Sequence, residues 1–379
     1  MIPYSRQSIG SDDIRAVAKV LRAPYLTQGP KVKEFENVLS RYTGARYCVV
    51  FSSGTAALHA AYFAAGIGKG DEVVVPALTF AATANAALYL GAKPVFADIE
   101  PETGNIDPKD AERKITKKTK AIVTVDYAGL PADLGALHRL AKRHGLVFIE
   151  DSAQGLGARY KGGRVGKFAD MTMFSFHPVK SITTGEGGAI TTDDKTYYER
   201  LLMFRSHGLT RDTKKLKNTK NAAWHQEMQL LGYNYRLTDI QAALGISQMK
   251  KLSGFLAKRK ALAKRYRLLL KGLEHFMLPA DITGRESAWH LFVVRVRSRK
   301  RGARDRVFNA LRKAGIGVQV HYLPVYLHPY YRALGYKKGL CPEAEKFSES
   351  AISIPIFPKL SPREQSRVAA LIKKVDGEL

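Results

Sequence analysis

Between Asp71 and Ile149 the chain switches repeatedly between short β-branched runs and helical stretches, and this alternation constrains the fold more than any other feature of the sequence. Val73–Val75, Pro94–Ala97, Ala121–Val125 and Leu146–Ile149 read as strands, with helices expected over Phe80–Leu90 and Leu134–His144. Runs that stay apolar without alternation are buried on both faces, the habit of parallel strands joined by helical crossovers. The pattern predicts an α/β fold with a large, mostly parallel sheet covered by helices on both faces. In such sheets ligands collect at the carboxyl ends of the strands.

The segments around this alternation carry the chemistry. Tyr47–Ser52 reads as a strand that runs through Ser53-Gly54-Thr55 into an alanine-rich helix over Ala56–Ala65. Free N–H groups and the helix dipole at such a junction suit a phosphate, although an N-cap by Ser53 or Thr55 accounts for the same residues. Gly66-Ile67-Gly68-Lys69-Gly70 follows a helix and precedes a strand, the reverse of a dinucleotide-binding loop, and reads as a helix stop. Farther on, Ile149-Glu150-Asp151 ends a buried strand in carboxylates. Met171–Ser175 is another strand, leading to Lys180 in Phe174-Ser175-Phe176-His177-Pro178-Val179-Lys180-Ser181-Ile182-Thr183-Thr184-Gly185-Glu186-Gly187-Gly188. A lysine among small and apolar residues loses part of its preference for the charged form, which frees an amine for Schiff-base chemistry.

Past a polar, basic loop over 211–220, a helix starts at Thr238 and runs through Gln248, and a long basic helix over Phe255–Lys271 leads away. An α+β module follows, with strands expected at His290–Val296 and Gly317–His321 and helices at Asp305–Ala314 and Pro362–Val375. The division this suggests is a large cofactor-binding domain over 1–250 and a linking helix plus small domain over 251–379.

Charge and composition narrow the partners. The 61 Lys+Arg against 34 Asp+Glu give a net charge of +27. The basic residues are spread over expected helix surfaces, as in Lys258-Arg259-Lys260, and over Arg297–Arg301, without a nucleic-acid-binding motif. Steering of a phosphorylated small substrate fits this better than nucleic acid. No apolar run approaches the roughly 20 residues that span a bilayer and the N-terminus lacks an apolar signal core, so a cytoplasmic protein without membrane partners is expected. Cys48 and Cys341 stand far apart and the ten histidines form no HExxH, so neither a disulfide framework nor a metal site is expected.

Chemistry on pyridoxal 5'-phosphate requires an amine, a phosphate site, a carboxylate for the pyridine nitrogen and a flat group to stack on the ring. Lys180, Gly54 with Thr55, Asp151 and Phe80 supply these in one chain, and Ser175 adds a hydroxyl for the phosphate. Each also has a plain structural reading: Phe80 as core, Asp151 as a helix cap, Ser175 as the satisfied end of a strand.

Ser52-Ser53-Gly54-Thr55-Ala56-Ala57-Leu58, Pro76-Ala77-Leu78-Thr79-Phe80, Glu150-Asp151-Ser152-Ala153-Gln154, Phe174–Gly188 and Gly232-Tyr233-Asn234-Tyr235-Arg236-Leu237-Thr238 together resemble the DegT family of sugar-nucleotide aminotransferases, in family order over nearly the whole chain. The resemblance implies the fold-type I aminotransferase architecture with a smaller C-terminal α+β domain, pyridoxal phosphate passing through pyridoxamine phosphate, and a homodimer whose active sites draw on both subunits. It also implies that Lys180 is the Schiff-base lysine and Asp151 the pyridine partner. Phe80 would stack on the ring, Gln154 would meet its phenolic oxygen, Gly54, Thr55 and Ser175 would hold the phosphate, and Asn234 would reach the phosphate in the neighbouring subunit. Relatives with histidine in place of this lysine are dehydratases.

Thr119–Gly129, Phe204–Leu209 and Gln319–Tyr326 carry a finer resemblance, to the pseudaminic-acid branch of UDP-4-amino-4,6-dideoxy-N-acetyl-β-L-altrosamine transaminases. That branch implies amino transfer from L-glutamate to a UDP-linked 4-keto sugar. Tyr4, Pro24, Tyr25, Leu26, Thr27, His321, Tyr322, Leu323 and Pro324 would then lie at the substrate. Synthases of the GDP-perosamine or UDP-4-amino-4-deoxy-L-arabinose type stay open alternatives, and a regulatory or nucleic-acid-binding protein on the same fold is what the charge alone suggests.

Overall fold

The computed structural model describes residues 1–217, 224–298, 300 and 302–379. Its main sheet has seven strands: β1 (Tyr47–Phe51), β2 (Glu72–Pro76), β3 (Lys93–Ala97), β4 (Thr119–Val125), β5 (Val147–Asp151), β6 (Met171–Ser175) and β7 (Gly188–Thr192). They lie side by side in the order β1-β7-β6-β5-β4-β2-β3. Pairings from β6 through β5, β4 and β2 to β3 are parallel, whereas β7 runs antiparallel to both β1 and β6. The α/β architecture of the sequence reading is therefore present. β7 is the addition, a strand that the glycine-rich turn before it concealed.

Helices Gly54–Ala64, Ala81–Tyr89 and Lys195–Arg205 pack into the core on one face of this sheet, with Val73, Val75, Ile149 and Met173. Helices Pro30–Thr43, Leu134–His144 and Asp239–Met249 pack on the other, with Val74, Ile122, Phe148 and Phe174. Neighbouring residues of a strand point to opposite faces, so uninterrupted apolar runs feed both cores. Local signals set the helix ends: Asp133 accepts from Ala136 N, Thr238 and Gln241 form a capping box, and Gly44 and Gly145 close their helices with φ of 82° and 64°. Gly245 sits inside its helix because a Cβ there would stand 2.5 Å from the Phe35 ring. The glycine costs helix stability of roughly 0.5–1 kcal/mol relative to alanine. In exchange Phe35 is fully buried and lies 5.2 Å from the ring of Phe176, at the root of the Lys180 loop.

A three-stranded antiparallel sheet, Phe276–Met277, Phe292–Val296 and Ala351–Ile354, organises the C-terminal part, with helices Leu252–Leu269, Ala303–Lys313 and Pro362–Asp376 around its own core. Ile2 is buried in this core rather than with the main sheet. The strand expected over Gly317–His321 is reduced to an isolated bridge between Gln319 and Ser353. The amide of Gly317 goes instead to Ile2 O at 2.7 Å, so the segment divides its bonds between two partners and builds no ladder. Arg259, expected on a helix surface, is 1 % exposed, and its Nη1 donates to the carbonyls of Trp289, His290 and Ile356. The basic loop expected over 211–220 can be followed to Lys217, its remainder lies outside the described residues, and so do positions 299 and 301 of the basic run. Among the described residues no helix is long and apolar enough to cross a membrane.

Candidate active site

Register brings the carboxyl ends of β4 and β5 level, Val125 pairing with Asp151, while Asp151 pairs with Met173 and β6 runs on to Ser175. Over these ends opens a cavity of about 430 Å³ whose wall includes Gly54, Thr55, Phe80, Asp151, Gln154, Ser175 and Lys180, together with Tyr4, His321 and Tyr322. Residues separated by up to 126 positions within the cofactor set thus share one space.

The loop after β6 explains how Lys180 gets there. Phe176 N bonds to Gly187 O at 2.9 Å and Thr184 N to Phe176 O at 3.0 Å, closing residues 176–187 into a compact turn. Thr183 Oγ1 donates to Phe176 O, and Gly185, at φ 81°, makes a reversal that a side chain would strain. Lys180 is half-buried. Loss of water around its ammonium pushes its pKa down to about 8, and the Asp151 carboxylate opposes that shift.

Asp151 is buried, and burial holds its pKa above the ordinary carboxylate value. Oδ2 accepts from Thr83 Oγ1 at 2.7 Å and Oδ1 from Ala153 N at 3.1 Å, both of which favour the ionised form, as does Lys180. Thr83 in turn shares a hydrogen bond of 2.8 Å with Thr79. Thr83 was missed from the sequence because it lies inside a helix. Its position three residues after Phe80, one turn into that helix, is the signal that could have found it.

At the other wall, Ser53 caps helix Gly54–Ala64 by accepting from Ala56 N at 3.1 Å, leaving the amides of Gly54 and Thr55 without partners inside the helix. A Cβ at Gly54 would stand 3.2 Å from Ser175 Cβ, so glycine lets this helix end close on the end of β6. Amides, dipole and the Ser175 hydroxyl converge there as an anion cradle. The N-cap and the cradle are thus one structure, with Ser53 doing the capping.

Phe80 is 61 % exposed, which rules out the core reading, and its ring is 6.2 Å from that of Tyr322. Gln154 accepts from Ala128 N at 2.7 Å and donates to the Tyr322 hydroxyl at 2.9 Å, tying the loop after β4 to the 321–322 segment. Burial pushes the Tyr322 hydroxyl up and His321 down to about 4, so the histidine is neutral, with Nδ1 2.8 Å from Ser353 Oγ. His290, His177 and Glu186 also line the cavity and were not anticipated. Burial, Lys180 and Arg259 keep His290 uncharged. Its sequence neighbourhood offered only the start of a strand.

Other expected positions lie elsewhere. Pro24, Tyr25, Leu26 and Thr27 are exposed, with Thr27 bridged to Thr238. Asn234 is exposed beside Ser206, and Leu323 and Pro324 are absent from the cavity wall. None of these is brought to the cavity of its own chain.

The residues present fit pyridoxal phosphate: an amine of lowered basicity, a buried carboxylate, an exposed aromatic ring and a cradle for phosphate share one cavity. Burying the charged form of this lysine is also a cost to the folded chain. Unfolding restores its ordinary proton affinity, so the native state is penalised in full below pH about 8, and the penalty fades as pH rises toward 10.5. In the cofactor-free chain, Lys180→Met should therefore add stability on the order of 1 kcal/mol at neutral pH, with the gain shrinking toward pH 10. Urea unfolding at several pH values measures this, and a gain that grows with pH would contradict it.

Residues 7–373 match the model of the DegT/DnrJ/EryC1/StrS aminotransferase family. The chain is 37 % identical to the spore coat polysaccharide biosynthesis protein SpsC of Bacillus subtilis, over 99 % of this chain and 97 % of that one. Among solved structures it is similar to Helicobacter pylori PseC, an aminotransferase involved in the biosynthesis of pseudoaminic acid, with a TM-score of 0.93, 34 % identity and 100 % of both chains covered. The pyridoxal phosphate form of Spr1654, a putative sugar aminotransferase of Streptococcus pneumoniae, gives a TM-score of 0.93 at 33 % identity, covering 100 % of this chain and 99 % of that one. With the fold, the cavity and these relatives in agreement, the chain belongs to the DegT/DnrJ/EryC1/StrS family and is a pyridoxal phosphate-dependent sugar aminotransferase.

Proposed function

We propose that the enzyme transfers the amino group of L-glutamate to the 4-keto carbon of a UDP-linked 2-acetamido-2,6-dideoxy hexos-4-ulose, the step that serves pseudaminic acid biosynthesis. The observation that carries this reading is the position of Tyr4, His321 and Tyr322, residues matched to the substrate-contacting segments of that branch, on the same cavity wall as Lys180 and Asp151. The likeness to PseC supports it as well.

When bound, pyridoxal phosphate supplies a reactive aldehyde and an electron-accepting ring. Gly54 and Thr55 N–H with Ser175 Oγ would hold its phosphate, Phe80 would stack on the ring and Gln154 would meet the phenolic oxygen. Asp151 would keep the ring nitrogen protonated. Lys180 Nζ would be the amine that holds the cofactor and, when free, would move the proton from the donor Cα, a task suited to an amine with a pKa of about 8. The exposed positions Pro24–Thr27 and Asn234 serve the site of a second copy in a homodimer, which works in the cytoplasm.

A panel of UDP-, GDP- and dTDP-linked 4-keto-6-deoxy sugars with glutamate tests the substrate. The UDP-linked 2-acetamido sugar should give 2-oxoglutarate and an amino-sugar product, identified by mass, at a kcat/KM at least about ten-fold above the others. Preference for a GDP-linked substrate, or for a UDP-linked 4-keto pentose, would replace this reading with the perosamine or aminoarabinose one.

A further inference from the structure

On the face of the sheet turned away from the cavity, two carboxyl groups lie behind Asp151. Glu150 precedes it on β5, so its side chain points to the opposite face, and Asp126 follows the end of β4. Both are buried at 0 % exposure. Asp126 accepts from Ser152 Oγ at 2.6 Å and from Ala132 N at 3.3 Å, whereas Glu150 Oε2 accepts from Thr172 Oγ1 at 2.8 Å and Oε1 has no donor. Thr124 on β4 pairs with Glu150, so Asp126, two residues further on, lies on the same face as Glu150, and each carboxyl group bears on the other. The further charge that acts on both is Asp151, and none of the leading influences on either is a cation.

Two carboxyl groups this close in a dry place cannot both ionise, so one proton stays with the pair. The donors say where. Asp126 already accepts two hydrogen bonds and is the better carboxylate, leaving the unpartnered oxygen of Glu150 to carry the proton. Gly155 keeps the arrangement closed, since a Cβ there would stand 2.5 Å from Asp126 Oδ2. Asp126 N also donates to Asp151 O at 3.1 Å, tying the pair to the strand end that faces the cofactor.

We propose that Glu150 and Asp126 share a single proton, and that the one negative charge they retain behind Asp151 helps keep the cofactor's ring nitrogen protonated. Neither side chain reaches the cavity, so both are positioning residues. The direction of their titration agrees: burial pushes Asp126 up to about 7 and Glu150 well above its ordinary range. The inference rests on the enzyme class and not on which sugar is used.

Two variants separate charge from shape. Glu150→Gln keeps a donor toward Asp126 and keeps the charge, so its kcat should stay within about two-fold of the parent enzyme, whereas the double variant Glu150→Gln with Asp126→Asn removes the charge and should lower kcat about ten-fold, the effect of one unit in proton affinity at the ring nitrogen. A second readout needs no substrate. Glu150 keeps its proton in the native chain and releases it on unfolding above pH about 4.5, so native stability falls as pH rises from there. Urea unfolding of the cofactor-free full chain should show this fall in the parent protein, and a flatter profile in Glu150→Gln. Equal slopes, or a Glu150→Gln enzyme as slow as the double variant, or a double variant at parental speed, would each overturn the proposal.

Discussion

Lys180→Ala should abolish amino transfer, lowering turnover at least about ten-thousand-fold, because in the proposed mechanism one residue both holds the cofactor and moves the proton. The visible absorbance that the cofactor gains on reaction with a protein amine should vanish with it. Alanine leaves the loop intact, since the bonds that close residues 176–187 come from Phe176, Thr183, Thr184 and Gly187 rather than from the lysine side chain. Steady-state release of 2-oxoglutarate and the absorbance spectrum measure the two effects. Turnover near the parental rate would remove Lys180 from the chemistry.

Asp151→Asn is the second large effect, a drop in kcat of about a hundred- to a thousand-fold with the cofactor still bound. Asparagine matches the shape: its Oδ1 can still accept from Ala153 N, and its Nδ2 would take the place of Oδ2 and donate to Thr83 Oγ1. It cannot supply the negative charge that, in the proposed mechanism, keeps the ring nitrogen protonated. The parent enzyme should also slow as pH falls and Asp151 protonates, an acid limb set above the ordinary carboxylate range by burial and restrained by Lys180. The variant should lack that limb. A kcat close to the parent's would argue that the charge is dispensable.

How far the sequence could be read follows from what each residue depends on. β2, β4 and β5 were legible because β-branched runs without polar interruption have few other ways to be buried. β7 was not, since Gly-Ala-Ile-Thr-Thr directly after a glycine-rich turn has no pattern of its own and is a strand because β1 and β6 flank it. Lys180 and Asp151 stood out through chemistry that is odd for their surroundings. Thr83 and His290 did not, because a threonine in a helix and a histidine ahead of a strand are unremarkable until the fold shows what they face. The segment 317–321 misled by its apolar alternation, as its backbone partners come from residue 2 and residue 353, beyond the reach of any local pattern.

The placement of β7 also sets an order of assembly. Among the described residues β1 has no neighbour in the sheet except β7, although 136 residues of chain, from 52 through 187, separate the two. As the nascent chain leaves the ribosome, β2, β4 and β5 can pair with one another while β1 still waits for its partner. Gly188 pairs with both Phe51 and Ser175, so the arrival of this one residue joins the helix start at Gly54 to the end of β6. The phosphate cradle is therefore a late product of folding, and a chain that captures the cofactor has already closed its longest loop in the sheet.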